Sequence, residues 1–183
     1  MGNRSLLFTA DAIPTADHLP DPIRPLAEWN GLPLVHLILA SAEPRRCQSV
    51  IWRDQAIGIA ADYAAGVARL LGFLDAFAKL GTLPRDRGFA VARTEAERVL
   101  ASDKHRGRYL LFETGDTFGG PQGDLVPEVE GMISEAIPAT LRAVDETIAG
   151  QPPPSMLRLA DGWRRQLGLA WSDVLYYTPP EQV

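Results

Sequence analysis

A chain of 183 residues, 46% hydrophobic and 22% charged with a formal net charge of −5, is long enough to bury a core and too apolar to be disordered. Its single cysteine, Cys47, excludes an internal disulfide framework and any multi-thiolate metal site, which fits a reducing, cytoplasmic setting. Fifteen prolines and sixteen glycines are scattered without a repeat of solenoid length, so residues 1–183 read as a single α+β domain with many turns.

Residues 4–10, RSLLFTA, read as a strand almost at the start of the chain. Leu6, Leu7 and Phe8 form too short an apolar run for a signal-peptide core. Five prolines between 14 and 33 argue against a long regular element, leaving a short helical turn at 25–29 with Trp29 packing inward. The nearly continuous apolar run 34–40, LVHLILA, reads as a second strand buried on both faces. Ser41 is placed to cap a helix beginning near Glu43–Pro44, with Cys47, Val50 and Ile51 facing inward.

The segment 57–81 reads as the central helix. At helical spacing Ile59, Tyr63, Val67, Leu70, Leu74 and Phe77 share one bulky apolar stripe. Gly58, Ala61, Ala65, Ala68, Gly72 and Ala76 share a small-residue stripe, and the pair of stripes suggests a helix inserted between two layers. Asp62, Arg69 and Asp75 would each cost roughly 2.5–3.5 kcal/mol in a bilayer, so this is a buried helix and not a membrane span. Gly81 offers a left-handed cap, followed by Pro84. Thr94 with Glu95 and Glu97 opens another helix running to about Lys104.

The third strand is 108–113, RYLLFE. The glycine-rich loop 115–124 leads into a long helix whose inward face is Ile133, Ile137, Leu141, Val144 and Ile148, which Pro138 should kink or split. Pro152–Pro154 stop it, Ser155 caps a further helix, and 174–177 reads as a last strand before a fraying tail at Pro179–Pro180. The expected architecture is a small, mainly antiparallel sheet with helices packed on it.

The opening Met1-Gly2-Asn3-Arg4-Ser5-Leu6-Leu7-Phe8 resembles a family of uncharacterised bacterial proteins that begin M-A-N-R-S before alternating aromatic and aliphatic residues. The later Tyr109-Leu110-Leu111-Phe112-Glu113 is similar to the same family. Gly2 stands where the family has Ala, and Leu6 where it has an aromatic residue. The resemblance implies a bacterial context in which a toxin-neutralising role comes into view; it implies no catalytic residues.

Motifs for catalysis are sparse. Cys47 follows Arg45 and Arg46, a setting that can activate a thiol, with His36 as a distant base, but it also shares a helical face with Val50 and Ile51. The 115–124 loop lacks the Gly-Lys-Ser/Thr of a phosphate loop and the alternating acids of a calcium loop. His18, His36 and His105 have no metal-ligand spacing, and neither a metal nor another cofactor is expected.

Charge is the more informative signal. Residues 111–150 carry eight acids against one base, a local −7, whereas 81–110 carry seven bases against four acids. A concentrated acidic segment disfavours nucleic acid and suits a basic protein partner, although a solvated helix face accounts for the same run. The expectation is therefore a non-enzymatic binding protein, of the kind a toxin-neutralising (immunity-type) protein represents. Glu113, Asp116, Phe118, Asp124, Glu128 and Glu130 would form its interface, with Phe118 as anchor and no membrane contact; a homo-oligomer is left open. The competing expectation is a small metal-dependent hydrolase centred on the 113–124 loop.

Overall fold

The computed structural model describes residues 3–119 and 123–177. Five strands, β1 (Arg4–Ala10), β2 (Arg24–Asn30), β3 (Arg45–Cys47), β4 (Gly58–Asp62) and β5 (Tyr109–Glu113), form one sheet in the order β2-β1-β5-β4-β3. All neighbours are antiparallel. Helices α1 (Leu34–Leu39), α2 (Tyr63–Phe77), α3 (Arg87–Ala101), α4 (Val126–Gly131), α5 (Ile137–Ile148), α6 (Pro154–Asp161) and α7 (Trp163–Gln166) complete an α+β architecture. Among the described residues, no helix is long and apolar enough to cross a membrane.

Alternation along β1 and β5 assigns side chains to two faces. Leu7, Ile59, Ala61, Leu110 and Phe112 join the main core with all the longer helices. Leu6, Phe8, Ala10, Ala60 and Leu111 form a second core on the opposite face. That second core is closed by irregular chain: Ile13, Leu19 and Ile23 before β2, Val50 and Ile51 after β3, and Leu175 near the end.

Several expected elements are different. The 34–40 run is helix α1, not a strand. Its buried positions Val35, His36, Ile38 and Leu39 follow a helical rhythm, and a short apolar run has no periodicity that separates a buried helix from a buried strand. The turn expected at 25–29 is strand β2; Pro25 is tolerated because β2 is an edge strand and the register shifts beside it, between Leu7 and Phe8. No helix follows Ser41: Glu43 takes a left-handed backbone (φ 52°) and Arg45–Cys47 becomes the short edge strand β3.

The central segment is a strand and a helix in succession. Gly58–Asp62 pairs with β5, and Asp62 then caps α2 by accepting from Ala65 N at 2.8 Å. The bulky stripe is confirmed from Tyr63 onward, with Tyr63, Leu70, Leu74 and Phe77 buried. The insertion between two layers is not, because Ala65 and Ala68 on the small stripe face solvent. Close backbone approach occurs instead at Gly66, where an added Cβ would lie 2.3 Å from the Leu39 carbonyl oxygen.

Helix α3 starts earlier than Thr94, since Asp86 caps it by accepting from Gly88 N and Phe89 N. The long acidic helix runs on through Pro138 without a break, and carries a π-helical turn at Met132–Ala136 just before it. The wider turn accommodates a ring that would otherwise meet the Ser134 carbonyl, and Pro138 has no N–H to donate. Residues 174–177 form no strand. Ser172 N donates to Leu26 O of β2 at 3.1 Å, Tyr176 N donates to the Glu28 carboxylate, and Leu175 is buried. The Pro179–Pro180 tail lies outside the described residues.

Two glycines in α2 provide a test. Gly66→Ala forces a methyl into the α1 backbone and is expected to lower stability by about 1–3 kcal/mol. Gly72, where an added Cβ would meet nothing within 4 Å, is expected to gain about 0.5–1 kcal/mol as Ala. Urea unfolding of both variants checks the pair.

Candidate functional site

The six residues expected to form one interface separate into two groups. Glu113 ends β5 on the second face, opposite Leu6 of β1 and Gly58 of β4, and is 1% exposed. Its parity with Leu111 puts it inside. Ser49 Oγ donates to one carboxylate oxygen at 2.8 Å and Val50 N to the other at 2.7 Å. Ser49 Oγ in turn accepts from Ile51 N and Trp52 N. Glu113 is therefore the buried pin of the 49–52 turn, and its place in an interface is corrected on that ground.

Burial is the largest influence on Glu113 and raises its pKa to about 7, against the lowering effect of the Val50 and Ser49 hydrogen bonds. Cys47 lies beside it. Burial first, and the Glu113 charge second, push the Cys47 thiol upward, so it is held as a thiol and not as a nucleophilic thiolate.

Asp116 is also buried and accepts from Arg4 N at 3.2 Å, while Thr117 Oγ donates to Arg4 O at 2.9 Å. These bonds fasten the turn after β5 to the start of β1. Asp116 faces Tyr177, whose pKa is raised by desolvation first and by the Asp116 charge next. Phe118 is half-buried against the main core and is no free anchor. Residues 120–122 of the glycine-rich loop lie outside the described residues.

Asp124, Glu128 and Glu130 are exposed, as expected of an interface. Asp124 Oδ1 accepts from Val126 N at 3.0 Å where α4 begins, and Glu130 pairs with Arg46 at 3.4 Å. Glu135, Asp145 and Glu146 are exposed further along, while Val129, Met132, Ile137 and Val144 turn inward. Glu128, Glu135, Asp145 and Glu146 make no ion pair among the described residues. In the basic segment four of the seven bases are paired, Arg93 with Asp75 and Glu97, Arg98 with Glu95, Arg106 with Asp103 and Lys104 with Asp173, while Arg85, Arg87 and Arg108 make no ion pair among the described residues.

The histidines are held by separate partners. His36 is fully buried, its Nδ1 2.9 Å from Ser5 Oγ, and burial lowers its pKa to about 3. His105 Nδ1 lies 3.1 Å from Pro25 O, and His18 is exposed. Among the described residues, no group of three His, Cys, Asp or Glu side chains is arranged to hold a metal ion.

Sequence reasoning missed Ser49 as the partner of Glu113. Strand parity in LLFE carried the signal, since Leu111 and Glu113 must share a face. Trp29, expected to pack inward, is half-buried and lines two adjoining clefts with Arg165, a pairing that sequence reasoning did not make because the two come from β2 and α7, far apart in the chain.

The family model described as a domain of unknown function (DUF7822) matches residues 11–152, and the chain belongs to that family. No curated protein and no solved structure matches it.

The two buried titrating groups give opposed pH dependences. Glu113 binds its proton more tightly folded than unfolded, so its contribution to stability is present below the ordinary carboxylate range and is lost as pH rises to about 7. His36 binds its proton less tightly folded, so its contribution grows as pH rises from about 3 to 6.5. Glu113→Gln removes the titration at the same side-chain length; it also replaces one of the two acceptor oxygens, a loss that is the same at every pH and leaves the pH dependence to report the titration alone. The stability of wild type relative to Glu113→Gln is expected to fall by roughly 3 kcal/mol between pH 4.5 and 7.5, measured by urea unfolding across that range.

Proposed function

We propose that this member of the family is a non-enzymatic binding protein whose acidic α4–α5 surface recognises a basic protein. One observation carries the reading. The acids of this surface are exposed and, apart from Glu130 with Arg46, make no ion pair among the described residues, whereas four of the seven bases of the 81–110 segment are paired with carboxylates of the same fold. An uncompensated patch keeps its field, and that field speeds encounter with an oppositely charged partner and selects against acidic ones.

The interface on this reading consists of Asp124, Glu128 and Glu130 extended by Glu135, Asp145 and Glu146. Asp116 acts behind it, holding the turn after β5, and Glu113 holds the 49–52 turn. A toxin-neutralising protein is one functional class with such a surface, its partner on this reading being a cationic toxin.

The triple variant Glu128→Lys/Glu135→Lys/Glu146→Lys changes exposed positions without internal partners and should stay within about 0.5 kcal/mol of wild-type stability per site. Affinity capture from the source cell with wild type is expected to retain a basic protein that 0.5 M salt releases. The triple variant should lose it, at least 100-fold in Kd once the partner is purified. Retention of the same partner by the variant at unchanged affinity would remove the acidic surface from the interaction.

A further inference from the structure

The main core leaves an open cleft of about 520 Å³ between the N-terminal end of α1, the middle of α5 and helices α6 and α7. Its volume falls within the range of small-molecule sites, which runs from about 300 to 1,000 Å³. Leu34, Leu37, Leu159 and Trp29 line it and are only half-buried, so apolar surface is concentrated in a concavity instead of spread over a convex face. The walls are fixed by the fold. Val35 N donates to Leu167 O at 3.0 Å, and Gly168 (φ 82°) lets the chain after α7 pass Pro33, where a Cβ would come within 2.4 Å.

Arg165 stands where this cleft meets a second one of about 790 Å³; Trp29, Asn30 and Arg165 line both. The other arginine of the second cleft, Arg4, is paired with Glu28 and lies over the Tyr176 ring at 4.1 Å. Arg165 is different: its guanidinium finds neither a carboxylate nor a hydrogen-bond acceptor among the described residues. A planar, permanently charged fork at the rim of an apolar cleft suits a planar anion. With Glu28 already compensated by Arg4, the site has one spare positive charge, which suits a monoanion and not a phosphate dianion.

From this we infer that the cleft is a binding site for a small amphipathic carboxylate, whose apolar chain lies along Leu34, Leu37 and Leu159 and whose carboxylate is held by Arg165 with Asn30 and Gln166 beside it. The site is independent of the acidic surface and does not rest on the basic-partner reading.

Decanoate is a suitable probe, titrated at pH 7.5 below its aggregation concentration and followed by calorimetry and by tryptophan fluorescence. The expected result is one decanoate per chain, with at least 10-fold weaker binding to Arg165→Gln and to the neutral analogue decanol, as expected for loss of a charge-assisted hydrogen bond. Ala143→Phe, which fills the cleft from α5, should abolish binding. Arg165 is exposed, so Arg165→Gln keeps the fold and carries the test even if Ala143→Phe unfolds. No binding to wild type would overturn the inference, as would equal binding of decanol or of decanoate to Arg165→Gln, or uptake of several decanoates without saturation. The Lys triple variant should bind decanoate as wild type does.

Discussion

The sheet has apolar side chains on both faces, but its longer helices cover only one, so the other face depends on irregular chain being held against it. Hydrophobic contact alone does not fix a loop, because it has no direction. Glu113 supplies the direction: its two oxygens take the Ser49 hydroxyl and the Val50 amide, and Ser49 passes the constraint on to Ile51 and Trp52. A carboxylate here is costly to bury and is satisfied at both oxygens, which makes it a strict positional constraint. The end of the described chain closes the same face by other bonds, through Leu26 O, the Glu28 carboxylate and the Tyr177 ring against Trp52.

Charge follows the same division between structure and surface. Acids near the sheet are used internally: Glu113 on the 49–52 turn, Asp116 on the Arg4 amide, Asp62 and Asp86 as helix caps. Asp86 also accepts from Trp163 Nε1 at 2.9 Å, tying α7 to the start of α3. Of the acids on α4 and α5, Glu130 alone has an ion pair among the described residues, with Arg46. A count of charge along the chain places Glu113 and Asp116 in one acidic segment with the acids of α4 and α5, and only the fold separates that buried pair from the acids that face water.

Strands β1 and β5, the bulky stripe of α2 and an irregularity beside Pro138 in the long acidic helix were legible in the sequence. Each rests on a local rule: alternation, a sustained helical period, or a proline inside a helix. The misread elements are those in which a distant partner decides. Leu34–Leu39 is apolar enough for either state and becomes helix where it packs against α2 and α5. Gly58–Asp62 continues a helical pattern on paper, yet β5 needs a neighbour there, and pairing overrides propensity. Pro25 argued against a strand until the edge position removed the objection. For the site, exposure of Glu128 was readable from helical phase; Glu130 shares the phase of Ile133 and Ile137 in a regular helix and reaches solvent because the π-helical turn intervenes, and burial of Asp116 depends on β1 arriving alongside from the other end of the chain.

Helix α5 links the two proposed surfaces. Ile137 and Val144 point into the core, Thr140 and Ala143 border the apolar cleft, and Asp145 and Glu146 face water. One helix can serve three environments only if its rotation is fixed, and the π-helical turn before Pro138 sets that rotation by inserting extra chain between α4 and α5. Without the inserted residue, the downstream face would turn by about 100° relative to α4, moving core positions toward solvent. The proline and the widened turn are thus coupled: the ring makes a regular helix unfavourable at this point, and the altered phase is what places the apolar, cleft-lining and acidic positions where each is used.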